Sequence, residues 1–432
     1  MRYSEIFSAA SLIAEEKRLL FARRVDENVL HLAFESGDWL FDLSPSQTLI
    51  APVKPLWHKK SYSAPFDLAL NRRLNAAELL NASVEEGDKI VRLEFMKADR
   101  YKEIRTALIL ELLPVKSNAL IVDEGGVLLE SLRRIRKNGV PYVLPPKPPY
   151  APVAKPIENL RAVLIGRYND LRRRELAEKK EFALRKARQK VARLEGTLEA
   201  LESPDRLEKR ADLARREGEL LLANANTISP FVREAVVDDF DGRCRVIALE
   251  SLPTAAREAE RKFLLSKRLR AKAAGLKTQR ESLRDRVLFY ARLISAINGA
   301  KDSGELSAVL PQKPLKEKDI PHGEPIERFA IGGFSVLLGR SEKGNALLLK
   351  RAKAGDLWFH IKGMPGAHVI VQTRREKLPA GIITEAARLC ARFSVSSGGA
   401  FEVDYTARRN VRIVKGAEVT YTDYKTVRIG LD

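Results

Sequence analysis

The chain has 432 residues, 45% of them hydrophobic, which predicts a folded protein of two or three domains. Lys and Arg total 77 against 57 Asp and Glu, and the net charge of +20 favours a polyanionic partner over a protein that is merely basic. Its two cysteines are too few for a disulfide framework or a cysteine-based zinc site. No run approaches the roughly 20 apolar residues that span a bilayer, and charged residues interrupt the N-terminal segment, so we expect a cytoplasmic protein.

Residues 1–150 have the pattern of an α+β domain. We predict helices at 11–20 and 66–80, and strands at 29–34, 39–43, 90–95, 106–113, 119–123 and 127–132. Ser36-Gly37-Asp38 and Gly125-Gly126 are typical of turns between such strands. Prolines at 141, 145, 146, 148 and 149 cannot continue a helix or a strand, and so they end the domain and begin a linker over 151–167.

The middle of the chain carries two heptad patterns, over 168–216 and 254–300. Leu184, Val191 and Leu198 recur every seven residues in the first, and Leu269, Leu276, Leu283, Tyr290 and Ile297 do so in the second. Two such arms in one chain predict an antiparallel coiled-coil hairpin. Strand-like segments at 235–238 and 244–249 predict a small module over 217–253 at the distal end of the hairpin. A linker with four prolines, over 301–325, leads to a last α+β domain at 326–432, so the fold class is multidomain α+β.

The segment 356–371 is the most informative part of the last domain. It predicts a strand over 357–362, a turn over 363–366 and an apolar strand over 367–371. Alternation places Trp358, His360 and Lys362 on one face of the first strand. An aromatic ring, an imidazole and a cation are groups that contact bases and phosphates. The alternative is that Trp358 is a core residue, since large aromatic side chains are usually well buried.

Residues 326–432 closely resemble the RNA-binding NFACT-R domain of RqcH-type ribosome quality-control proteins. The matching features are Gly332-Gly333-Phe334 in an opening hairpin, Asn345 before a helix, the segment 356–371, a helix around 385–389 and closing strands near 404–406, 419–421 and 425–427. Basic residues at predicted strand ends suit phosphate contacts. The candidate RNA-binding residues are therefore Trp358, His360, Lys362, Arg374, Arg375, Arg408 and Arg409.

Residues 1–150 resemble the NFACT-N domain of the same family less strongly, through Leu110-Glu111-Leu112-Leu113 with Ser117-Asn118. Family members have an Asp-Arg pair, associated with tRNA binding, where this chain has Asp88-Lys89. Lysine keeps the charge but loses the planar guanidinium, and an ordinary turn after Gly87 would explain the pair equally well. Asp99-Arg100 lies too far along the chain to replace it, and Ser4 stands at another family Asp position. The linker 151–167 is too short for the family's helix-hairpin-helix module.

Other chemistries are weaker hypotheses. His360 and His368, with Asp356 and Asp404 as oxygen ligands, would be the basis of a metal-dependent nucleic-acid enzyme. No phosphate-binding loop motif is present. The NFACT-N fold also resembles the N-terminal domain of formamidopyrimidine-type DNA glycosylases, which need a secondary amine as nucleophile. Position 2 is Arg2 and no proline precedes Pro45, so glycosylase chemistry is rejected.

The resemblance implies a non-enzymatic adaptor without a cofactor. Its partners would be the large ribosomal subunit obstructed by peptidyl-tRNA, with its rRNA, and tRNA recruited for C-terminal tailing of stalled nascent chains. Neither a membrane nor DNA is expected as a partner. The alternatives are a binding protein for tRNA or structured RNA without tailing activity, and the metal-dependent nucleic-acid enzyme.

Overall fold

The computed structural model describes residues 1–45, 47–53, 62–98, 103–134, 137–147, 152–155, 157–312, 324–373, 378–395 and 397–431. The chain forms two compact units, Met1–Ala177 and Glu178–Asp432. Helix α3 (Leu160–Ala200) begins in the first unit and ends in the second. None of the helices within the described ranges is both long and apolar enough to cross a membrane.

The first unit contains two antiparallel sheets, each with its strands in chain order. Helix α1 (Tyr3–Ile13) precedes a sheet of β1 (Leu19–Asp26), β2 (Val29–Phe34), β3 (Asp38–Ser44) and β4 (Gln47–Val53). Helix α2 (Pro65–Leu74) precedes a sheet of β5 (Glu78–Val84), β6 (Ile90–Ala98), β7 (Glu103–Glu111), β8 (Asn118–Asp123) and β9 (Leu128–Ser131). Side chains from both sheets and both helices share one core.

Of the two predicted helices of this unit, the first lies earlier in the chain than predicted and the second begins as predicted but ends six residues early. The carboxylate of Glu5 accepts a hydrogen bond from the backbone N–H of Arg2 at 2.8 Å, which stabilises a helix start well before residue 11. α2 ends early because Asn75 is extended, with a ψ of 131°, and Ala76 after it has a φ of +61°, which is incompatible with a right-handed helix. The segments that follow, 19–26 and 78–84, are strands, and neither of these nor β4 was predicted. The other predicted strands are confirmed.

The antiparallel helical hairpin is confirmed, but its first arm is two helices rather than one. Pro204 interrupts the arm because it cannot continue α3, and α4 (Pro204–Ala223) follows. The returning arm is the single helix α5 (Ala255–Gly299), with Leu269, Ala273 and Leu283 buried in its seam. Lys180 reaches the carbonyl of Asn298, and Lys262 pairs with Glu217, so the two arms run in opposite directions.

Arg280, which interrupts the apolar seam, has a structural explanation. Its guanidinium donates to the carbonyl oxygens of Leu198 and Leu201, at 3.3 and 3.2 Å. Carbonyls in the last turn of a helix have no partner within the helix, so this contact caps the end of α3. Beyond α4, strands β10 (Glu234–Asp238) and β11 (Cys244–Ala248) form an antiparallel pair where the small module was predicted.

The C-terminal part is built on one six-stranded sheet. Its strands are β12 (Ile326–Ile331), β13 (Phe334–Gly339), β14 (Leu357–Ile361), β15 (Val369–Val371), β16 (Gly399–Ala407) and β19 (Lys425–Leu431), in the spatial order β12-β13-β15-β14-β16-β19. Helices α7 (Glu342–Arg351) and α8 (Ala380–Ser394) pack on this sheet, and β17 (Val411–Lys415) and β18 (Glu418–Tyr421) form a separate hairpin. A short helix, α6 (Ser303–Val309), lies in the predicted linker.

The end of the coiled coil packs on helix α8 of the C-terminal part. The rings of Phe289 in α5 and Phe393 in α8 stack with centroids 5.1 Å apart, and Arg292 donates to the carbonyl of Phe393 at 2.6 Å. Phe393 also contacts Phe329 of β12. The apolar core of the C-terminal part therefore includes residues that precede 326.

Candidate RNA interface

The segment 356–371 forms the centre of the C-terminal sheet. β14 pairs with β15 on one side and with β16 on the other, both antiparallel, and the predicted turn between β14 and β15 is confirmed. Asn345 holds this turn: its amide donates to the carbonyl of Gly366 at 3.0 Å and accepts from the N–H of His368 at 3.0 Å. Gly339 is required beside it, because a Cβ there would lie 2.1 Å from the Asn345 side-chain oxygen. Asn345, one of the residues through which the chain resembles the NFACT-R domain, therefore fixes the turn that joins β14 to β15.

Trp358 does not present the open ring face that the alternation suggested. Its side chain is 0% exposed and packs with Leu348 and Leu349 of α7, Ile370 of β15 and Val411 of β17. Alternation separated the side chains of β14 correctly, but α7 and the β17–β18 hairpin cover the face that Trp358 occupies. The structure therefore supports the core interpretation of Trp358, since a base cannot stack on a buried indole.

Trp358 is the buried end of an aromatic cluster. Its ring lies 4.8 Å from Tyr421, 5.7 Å from His360 and 5.5 Å from His368, centroid to centroid. The two histidine rings meet edge to face at 4.8 Å. At the surface, the ring of Tyr424 lies 5.2 Å from that of Tyr421. We refer to these five residues, Trp358, His360, His368, Tyr421 and Tyr424, as the aromatic cluster.

Asp404 anchors the cluster from β16. Its carboxylate is 1% exposed and accepts hydrogen bonds from the hydroxyls of Tyr421 at 2.8 Å and Thr426 at 2.6 Å. Burial, with the hydrogen bond to Asp404, raises the pKa of Tyr421 to about 12. Tyr421 is therefore a permanent donor to Asp404 at neutral pH, and its ring is held in one orientation.

The two histidines of the cluster are neutral at pH 7. Burial, and secondarily the neighbouring His360, lowers the pKa of His368 to about 3, and burial also lowers the pKa of His360. His368 is 3% exposed, and its Nδ1 has no hydrogen-bond partner among the described residues. A metal site built on these histidines receives no support from the carboxylates. Asp404 is engaged as above, and the oxygens of Asp356 accept backbone N–H groups of Lys353 and Thr373 at 2.9 and 3.1 Å.

Acidification is expected to weaken the C-terminal fold through His368. In the unfolded chain His368 binds a proton near its ordinary pKa of 6.5, and in the folded chain only near 3, so the unfolded state binds more protons between these values. The stabilisation is complete above pH 6.5 and is lost as the pH falls. Between pH 6.5 and 5.5 the free energy of unfolding should drop by about 1 kcal/mol more than in His368→Phe. Urea unfolding followed by near-UV circular dichroism would measure this, and equal losses in the two proteins would refute it.

The predicted cations differ in what their side chains contact. Lys362 is exposed and pairs with Glu402 at 3.4 Å. Arg408 donates to the carbonyls of Leu349 and Val411 at 2.9 and 2.6 Å, so it joins α7 to β17. Arg409, next to it, is exposed. Arg374 and Arg375 lie outside the described residues.

Tyr424, which is 47% exposed, was not predicted as a site residue, and its only signal in the sequence was its place in a turn before a strand.

Asp88 and Lys89, the candidate tRNA-binding pair in the first unit, form a tight turn. Asp88 is 5% exposed and accepts the backbone N–H of Lys89 at 2.7 Å, and Gly87 before it has a φ of +74°. The Asp88 carboxylate therefore shapes the turn. The Lys89 side chain is half-buried, and burial first, then the charge of Lys89, lowers the pKa of the N-terminal amine, an effect that the Glu5 carboxylate opposes.

Comparison with known proteins identifies the C-terminal part. Residues 328–419 match the NFACT protein RNA binding domain family. The chain is 28% identical over 282 residues to the Rqc2 homolog RqcH of Bacillus subtilis (strain 168), a match that covers 61% of this chain and 47% of that protein. It is 26% identical over 272 residues to the Rqc2 homolog RqcH of Streptococcus pneumoniae (serotype 2, strain D39), covering 60% and 48%.

Among solved structures, the N-terminal domain of the fibronectin-binding protein PavA from Streptococcus pneumoniae is 20% identical. That match covers 37% of this chain and 66% of that chain with a TM-score of 0.32, which is too low to establish a common fold. The chain spans about half the length of the curated relatives it matches. Residues 328–419 therefore match the NFACT RNA-binding domain family, and the chain is similar to RqcH proteins over about 60% of its length.

Proposed function

We propose that this protein is a non-enzymatic adaptor that binds the large ribosomal subunit obstructed by peptidyl-tRNA and recruits tRNA for C-terminal tailing of the stalled chain. The observation that carries the proposal is the NFACT RNA-binding domain at 328–419 in a chain related to RqcH proteins. The net charge of +20 supports a polyanionic partner. The bond-forming chemistry of tailing would be the ribosome's, and this protein would contribute binding and positioning.

Within the first unit, the ammonium group of Lys89 is the proposed tRNA contact, and Asp88 holds the turn that presents it. A cleft in the same unit is lined by Met1, Arg167, Asp170 and Arg174, of which Arg167 is paired with Glu5. Lys89 favours a phosphate over a base edge, because a lysine acts as a point charge without directional pairing.

We expect Lys89→Glu to weaken tRNA binding and to reduce the salt dependence of that binding by about one unit of log–log slope, as the loss of one phosphate contact would. Lys116→Glu is the matched control, because it makes the same charge change at an exposed position of the same unit. Filter binding with total tRNA at several salt concentrations would measure both variants. An unchanged slope in Lys89→Glu would remove Lys89 from the proposed interface.

Sedimentation tests the ribosomal part of the proposal. The tagged chain should co-sediment with large subunits that retain peptidyl-tRNA and not with vacant large subunits, and sequencing of crosslinked RNA should recover tRNA and large-subunit rRNA. A chain that remains at the top of the gradient with both kinds of subunit would contradict the proposal.

A tRNA-binding protein without tailing activity is the second candidate. The observation that favours it is Lys89 in place of the family's Arg, since a lysine cannot reproduce bidentate contacts. Mass spectrometry of stalled nascent chains would distinguish the two functions, because tailing adds residues to their C-termini and binding alone does not.

A further inference from the structure

We propose that Tyr424 is a base-stacking residue for single-stranded RNA, with Lys362 as a phosphate contact. The proposal deepens the RNA-binding role above and rests on it. Stacking needs an aromatic ring that is open to the ligand, and Trp358 is fully buried. Tyr424 is 47% exposed and belongs to the same aromatic cluster. It therefore supplies at the surface the ring that the sequence pattern had assigned to Trp358.

The ring of Tyr424 is held in place although it is exposed. It meets Tyr421 edge to face, with an interplanar angle of 79°. Tyr421 packs in turn on Trp358 and donates its hydroxyl to Asp404. These contacts connect the surface ring to the core of the sheet. A preorganised ring loses little conformational entropy when a base stacks on it, which favours affinity.

The backbone before Tyr424 is also fixed. Asp423 has a φ of +48°, a left-handed conformation that turns the chain sharply ahead of β19. The hydroxyl of Thr406 lies within hydrogen-bonding distance of the carbonyls of Thr422 and Asp423, at 3.1 and 2.9 Å, and the N–H of Thr422 donates to the carbonyl of Asn410 at 3.1 Å. The loop therefore presents Tyr424 from a defined position.

The neighbouring charges suit a nucleic acid. Lys362 is exposed and lies on the face of β14 that carries Trp358 and His360; Glu402, and to a lesser degree Asp404, raise its pKa. Its ion pair with Glu402 is exposed on both sides, with 44% and 55% of the side chains accessible, and exposed pairs contribute little stability. A phosphate could therefore replace the carboxylate at small cost.

Single-stranded RNA is the ligand that these groups fit best. A base in a duplex stacks on its neighbours, whereas a splayed base can stack on a protein ring. Stacking accepts any base because every base has a π face. The surface should therefore bind unpaired nucleotides with little sequence preference.

The test uses the full chain and an unstructured oligoribonucleotide of uridines that carries one 2-aminopurine. We expect Tyr424→Ala to lower the affinity roughly 5- to 150-fold, the range found when base-stacking aromatics are replaced by alanine. Tyr424→Phe should bind as the parent does, because it keeps the ring. Phe240→Ala is the matched control, since Phe240 is 64% exposed in the distal module of the same unit. The fluorescence of 2-aminopurine, which stacking quenches, should fall on binding to the parent and to Tyr424→Phe.

Equal affinity of Tyr424→Ala and the parent for this RNA would overturn the proposal, as would a loss of affinity in Tyr424→Phe as large as that in Tyr424→Ala. Failure of the parent to bind the oligonucleotide would also overturn it. These results are independent of the sedimentation experiment. If Tyr424→Ala binds obstructed subunits as well as the parent does but binds the oligonucleotide no more weakly, the proposed function stands and only the Tyr424 site is lost.

Discussion

Raising the salt concentration from about 50 to about 200 mM is expected to lower the affinity of the full chain for RNA by about a thousandfold or more. The physical reason is the release of counterions from phosphates that Lys and Arg neutralise. A loss of this size corresponds to about six or more phosphate contacts. The net charge of +20 and exposed cations such as Lys362, Lys425 and Arg409 make that number reachable. Fluorescence anisotropy with labelled tRNA over a salt series gives the slope.

Two adjacent arginines provide an internal check on this slope. Arg409 is exposed, and Arg409→Gln should reduce the slope by about one if its guanidinium contacts a phosphate. Arg408 is engaged with the carbonyls of Leu349 and Val411, so its replacement should act on stability first. Melting curves at each salt concentration control for unfolding. A flat salt profile for the parent protein would contradict the electrostatic basis of RNA binding.

Replacing Trp358 by alanine is expected to destabilise the C-terminal sheet by about 3 to 5 kcal/mol. The indole is 0% exposed and fills the space between α7, β15 and β17, so its removal leaves a cavity in a packed core. Trp358→Phe should cost less, because it retains a ring. The indole N–H also has no hydrogen-bond partner among the described residues, so phenylalanine forfeits no polar contact there.

Native-state hydrogen exchange measures this effect locally. The amides of β14 and β15 should lose protection in Trp358→Ala, while those of β6 and β7 in the first unit should keep theirs and serve as the control. Unchanged protection in β14, combined with a loss of RNA affinity, would instead establish Trp358 as a stacking residue and would contradict its burial.

Heptad repeats and apolar alternation, which are patterns within short stretches of chain, predicted helices and strands well. Heptads in 254–300 predicted α5, and alternation around the 363–366 turn predicted β14, β15 and their order. Helices were misplaced where a single contact decides a boundary. Hydrophobic periodicity does not encode three of these boundaries. They are the start of α1, where Glu5 binds the Arg2 backbone, the end of α2 before the left-handed Ala76, and the break between α3 and α4 at Pro204.

By itself, the sequence determined the α+β classes of the two terminal domains, the antiparallel helical hairpin and the NFACT-type resemblance, because repeats, turns and motifs are properties of short stretches of chain. Only the tertiary structure decided which aromatic ring is open. Alternation assigns Trp358 to a face of β14, but α7 and the β17–β18 hairpin, distant in sequence, cover that face. The same packing leaves Tyr424 exposed at the end of a chain of rings. Burial depends on which distant elements meet, and so the exposed residue of a site is determined only when the chain has folded.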